Sequence, residues 1–127
     1  MKNKENLLGY VKRKVGKILE VAELKQFVMS GLDYDISDEL VLCEIHVDYK
    51  YFQFHLSVNK KLWDKELKKG NIDYLDGVLC HEIAHLITEE IEEYLKFRSS
   101  TDDVRHRLER VTELTSKWLY RLYKNEN

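Results

Sequence analysis

The hydrophobic period of this chain switches twice, from helical to strand-like and back, and those switches limit the folds open to it. Leu8, Val11, Val15, Ile18 and Ala22 recur at three- and four-residue steps, flanked by Leu7, Leu19 and Val28, which predicts a helix over residues 5 to 29. Ser30-Gly31 is its expected stop, with a loop over residues 32 to 38. From residue 40 the period is two: Val41, Cys43, Ile45 and Val47 alternate with Glu44, His46 and Asp48. Phe52, Phe54, Leu56 and Val58 then alternate with Tyr51, Gln53, His55 and Ser57. With Tyr49-Lys50 as a two-residue turn, Val47 faces Phe52, Ile45 faces Phe54 and Cys43 faces Leu56, an antiparallel hairpin with one apolar face.

A polar connection over residues 59 to 70, anchored by Leu62, Trp63 and Leu67, is read as a short helix or loop. The helical period then returns. Asn71 or Asp73 is placed to cap a helix carrying Leu75, Val78, Leu79, Ile83, Leu86, Ile87 and Ile91. A last helix is expected from near Asp102 to about Lys124, with Val104, Leu108, Val111, Leu114, Trp118, Leu119 and Leu122 as its apolar stripe. No proline interrupts any of these segments, since the 127 residues contain none.

This length suits one domain over residues 1 to 127. The 21 Lys and Arg against 23 Asp and Glu give a net charge of −2, so no bulk positive field favours nucleic acid or an anionic membrane. Two cysteines, Cys43 and Cys80, do not make a secreted disulfide scaffold. The stretch Leu7-Leu8-Gly9-Tyr10-Val11 followed by Lys12-Arg13-Lys14 is too broken for a signal peptide, and no run approaches the ~18 apolar residues of a membrane span. A soluble, cytoplasmic protein is expected.

One motif carries chemistry. His81-Glu82-Ile83-Ala84-His85 stands within an apolar helix, and residues four apart on a helix share a face, so both imidazoles can direct a nitrogen at one ion. Glu82, rotated beside the pair, is placed to act as general base towards metal-activated water. Two unpaired histidines in so apolar a helix would be poorly solvated, whereas a bound Zn²⁺ would satisfy them. Catalytic zinc takes three protein ligands, so a third must come from another element. Thr88 and Ile91 stand where a Gly and a third His of one extended motif would fall, which leaves Glu109, Glu113, His106, Asp102 and Asp103 of the last helix as candidates.

His81-Glu82-x-x-His85 followed by Glu109-Arg110-Val111-Thr112-Glu113 resembles the gluzincin zinc metallopeptidases, in particular minigluzincins and small zincin-like proteins of bacteria and phages. The resemblance implies an α+β, minimal zincin-like fold with an N-terminal helix, a short antiparallel sheet, the motif helix and a C-terminal helix bearing the ligand glutamate. It makes Glu109 the third metal ligand beside His81 and His85, sets Thr112 at a small-hydroxyl position, and makes Glu113 the acid that hydrogen-bonds a zinc histidine. His106 remains an alternative third ligand. The hairpin fills the place of the strands above the motif helix.

Cys80, about 100° round the helix from His81, is expected in the core, and His46 and His55 on the polar face of the hairpin. Tyr94, Tyr120 and Tyr123 are given no role. The expected activity is zinc-dependent peptide-bond hydrolysis on a peptide or protein substrate, with a zinc-stabilised binding or regulatory module as the alternative; neither involves nucleic acid or a membrane. The oligomeric state is left open.

Overall fold

The computed structural model describes residues 6–36, 38–95 and 101–126, with side chains for all of these except 90–95, 101–104 and 126. Helix α1 covers Leu7–Val21 and begins where Asn6 accepts a hydrogen bond from the Gly9 N–H at 2.8 Å. It ends well short of the expected residue 29. Glu23 adopts a left-handed φ of 58°, so that its own N–H reaches the Glu20 carbonyl at 3.1 Å and that of Leu24 reaches the Leu19 carbonyl at 2.8 Å. This paired closure is usually built on glycine, so the sequence carried no marker for it. Helix α2, Lys60–Lys68, closes in the same way on Gly70, at φ 76°.

The chain released by Glu23 forms a strand where helix, stop and loop were expected. Strand β1, Val28–Asp33, lies parallel to β3, Gln53–Val58, which also pairs antiparallel with β2, Cys43–Asp48. The sheet is therefore mixed, in the order β1-β3-β2, rather than antiparallel throughout. Ser30 is an extra residue between Met29, opposite Phe54, and Gly31, opposite His55, and its hydroxyl donates to the Phe54 carbonyl at 3.1 Å. The bulge puts Met29 and Leu32, three residues apart, against the core and hides the two-residue period. A Cβ at Gly31 would stand 2.5 Å from Nδ1 of His55, so a larger residue there would have to displace that ring.

The hairpin forms with its register slid by two residues. Four residues, 49–52, join β2 to β3, so Val47 faces Phe54, Ile45 faces Leu56 and Cys43 faces Val58. A slide of two keeps the side chains of β2 and β3 on their expected faces, but Phe52, expected opposite Val47, falls in the connection at φ 52° and is 45% exposed. The outer face is polar, with His55 Nε2 at 2.7 Å from Asp33 and the Ser57 hydroxyl donating to the same carboxylate at 2.8 Å.

Helix α3, Ile72–Leu95, starts directly after Asn71, whose carbonyl accepts the Leu75 N–H at 3.1 Å. Its Leu75, Leu79, Cys80, Ile83, Ala84 and Leu86 are each at most 1% exposed and share one core with Val11, Val15 and Ile18 of α1 and Phe54, Leu56 and Val58 of β3. Trp63 of α2 is fully buried and donates to the Leu42 carbonyl at 3.0 Å, holding the start of β2. Helix α4, Thr101–Glu126, runs antiparallel to α3, as the contacts Thr88 to Thr112 and Asp76 to Lys124 require. Asp76, 1% exposed, lies 3.1 Å from both Lys14 and Lys124 and so joins α1, α3 and α4 through one buried carboxylate. The architecture is α+β, four helices and a three-stranded sheet. Among the described residues, no helix is long and apolar enough to cross a membrane.

α4 is rotated relative to its expected stripe. Val111, Leu114, Trp118 and Leu122 are 43%, 55%, 72% and 45% exposed, whereas Thr112, Ser116, Leu119 and Tyr123 are buried. Leu108 is half-buried, and the side chain of Val104 lies outside the described residues. At about 100° per residue, Glu113 lies roughly 140° and Glu109 roughly 180° from Trp118, so presenting the acids to α3 turns the Trp118 side outward.

Two stability measurements test these features. Leu119→Ala is expected to cost about 2–4 kcal/mol in urea unfolding, and Trp118→Ala less than about 0.5 kcal/mol. The reverse order would mean that the Trp118 side of α4, rather than the Leu119 side, faces the core. Glu23→Gly should stabilise the protein by about 1 kcal/mol by relieving the left-handed residue, whereas a loss would contradict the α1 terminus described.

Candidate metal centre

The helical period of α3 stacks His81 and His85 one turn apart, with ring centroids 5.0 Å apart and planes at 82°. Tyr49, in the β2–β3 connection, donates its hydroxyl to the His85 carbonyl at 3.0 Å and so anchors this turn to the sheet. Across from it, the Thr88 and Thr112 hydroxyls meet at 2.6 Å, both 1% exposed. Each hydroxyl also has a carbonyl one turn back on its own helix, Leu108 at 2.9 Å from Thr112 and Ala84 at 3.4 Å from Thr88, so either can be the donor of the contact between the two helices. Such small side chains let the helices approach closely at the level of the motif.

That approach delivers α4's acids. His81 Nδ1 lies 2.9 Å from Glu113 Oε1, and because a carboxylate only accepts, the ring donates from Nδ1 and turns Nε2 away from that acid. Nε2 in turn lies 3.8 Å from Glu109 Oε1. His85 Nδ1 has a corresponding acid in Glu89 Oε1, at 3.4 Å. Ligand atoms of His81, His85 and Glu109 all fall within 4.8 Å of one another. Donors around a tetrahedral ion with bonds of ~2.0–2.2 Å stand roughly 3.3–3.6 Å apart, so closure asks only about an ångström of side-chain movement. Two imidazoles and one carboxylate, with ring tautomers set by further acids, fit a divalent cation such as zinc.

Glu82 lies beside this group and half-buried. Burial, followed by repulsion from Glu89, Glu44 and Glu109, pushes its carboxyl up to about 8. A cation among these acids would relieve the repulsion and favour the ionised form.

The sequence-derived residues divide clearly. His81, His85 and Glu109 converge, Glu113 takes the histidine-orienting position and Thr112 the interhelical hydroxyl position. His106 is exposed and does not join the group, and the side chains of Asp102, Asp103 and Tyr94 lie outside the described residues. Cys80 is buried in the core, where burial pushes its thiol up to about 12, and His46 and His55 stand on the far face of the sheet from the core. Glu89 was missed because the acidic run following the motif reads as a solvated helix end; its spacing of four from His85 was the available signal. Nothing local marks Tyr49, whose role depends on the hairpin packing over α3. In comparisons with protein-family models, curated proteins and solved structures, none matches this chain.

Proposed function

We propose that the protein is a zinc-dependent metallopeptidase of gluzincin type, with His81, His85 and Glu109 as metal ligands and Glu82 as general base. The observation that carries this reading is the convergence of those three donors, from two helices, beside a half-buried carboxylate. A structural metal site has no chemical need for Glu82. When bound, the metal would supply Lewis acidity towards water and the peptide carbonyl. Glu82 accepts a proton from water and returns it to the leaving amine, the role open to a half-buried carboxylate beside the ion. Glu113 and Glu89 orient the two imidazoles through Nδ1. Strand β2 lies at the sheet edge, its Glu44 close enough to raise the Glu82 carboxyl, so an extended peptide can add to that edge through backbone hydrogen bonds. The minimal zincin-like fold and a peptide or protein substrate belong to the same proposal.

Elemental analysis after reconstitution with zinc is expected to give one metal per chain. Wild type should then cleave unstructured peptides, and Glu82→Gln should retain the metal while losing at least about 10²-fold in rate. Bound zinc with no cleavage by either protein would favour a binding or regulatory module; no bound zinc would overturn both. Glu113→Ala is expected to weaken zinc binding about 10–100-fold in a competition titration, and Glu109→Ala by more. The opposite order would reassign the third ligand.

A further inference from the structure

An open trough of about 540 Å³ runs between α3 and α4 from the metal centre towards the start of α3. His81 closes one end, and Tyr74, Val78 and Tyr120 form much of its wall. It is large enough for a substrate side chain. Four charged side chains line it, and two are already engaged: Asp73 by Lys124 at 2.6 Å and Glu113 by His81 at 2.9 Å. The other two are Lys117 and Arg121, one turn apart on α4, both exposed and without a carboxylate partner among the described residues. The metal centre therefore has a polarised approach. Glu44, Glu89 and Glu109 all act on Glu82, whereas the trough that His81 lines carries Lys117 and Arg121, which have no carboxylate partner among the described residues.

Resting on the peptidase reading, we propose that this trough receives an apolar substrate residue next to the cleaved bond, and that Lys117 and Arg121 select a nearby carboxylate. The carboxylate can come from a free C-terminus or from an acidic side chain. Arg121 offers a planar fork and Lys117 a mobile point charge, a pair able to follow a carboxylate in either setting. Basic residues at the same place would meet both cations and be disfavoured.

Binding to the zinc-loaded Glu82→Gln protein, followed by fluorescence anisotropy of labelled peptides, tests the proposal without turnover. One apolar peptide would be compared as the free acid, as the C-terminal amide, and as amides carrying one Glu or one Lys. At least one carboxylate form is expected to bind about fivefold tighter than the neutral amide, the Lys form more weakly, and the gain should shrink with added salt. Preference for the free acid would identify a C-terminal carboxylate; preference for the Glu amide would identify a side chain. Adding Lys117→Gln and Arg121→Gln should abolish the preference. Equal binding of all four peptides, no binding, or a preference that survives the double substitution would overturn the proposal. Cleavage by the wild type is scored separately: carboxylate-selective binding without any cleavage would sink the peptidase reading alone.

Discussion

The contact between Thr88 and Thr112 sets the relation of α3 to α4 on which the candidate metal centre depends. Two buried hydroxyls 2.6 Å apart permit a close helix approach, and each must keep a partner because burying an unpaired hydroxyl costs about 1–3 kcal/mol. With this level set, Glu109 and Glu113, a turn apart on α4, face His81 of the antiparallel α3. At the other end of the helix pair, Asp76 holds Lys124 and Lys14, so the alignment is fixed at two well-separated points. An axial slip of one residue, about 1.5 Å, would break both contacts and remove Glu113 from the imidazole.

The same alignment accounts for the uneven surface of α4. A helix with one acidic face and an apolar stripe on its other side cannot present both to the same neighbour. The acids and small hydroxyl residues face α3, leaving Trp118 and its neighbours exposed. Burying those apolar groups would contribute hydrophobic stabilisation, and the structure forgoes it for the polar contacts between α3 and α4.

Much of the architecture was legible locally. Apolar alternation defined both strands of the hairpin and the faces they bury, although the turn length was not encoded by a glycine and the register moved by two. Strand β1 was illegible for two concrete reasons: a glutamate occupies the left-handed position that ends α1, and the Ser30 bulge breaks the period of the strand. His81, His85 and Glu82 could be named because their relation is intrahelical. Glu109 and Glu113 were found through the resemblance rather than through the pattern of their helix, which marked a different face as the core.

By itself, then, the sequence determined the helical stacking of His81 on His85, the neighbouring place of Glu82 and the one-sided hairpin, since each follows from the repeat of a single element. Only the tertiary structure decided that β1 joins in parallel, that α4 turns its acids rather than its apolar stripe inward, and that Tyr49 and Glu113 meet the motif from opposite sides. Those outcomes depend on contacts between residues distant along the chain, where buried hydroxyl and ion pairs can outweigh the hydrophobic pattern of one helix.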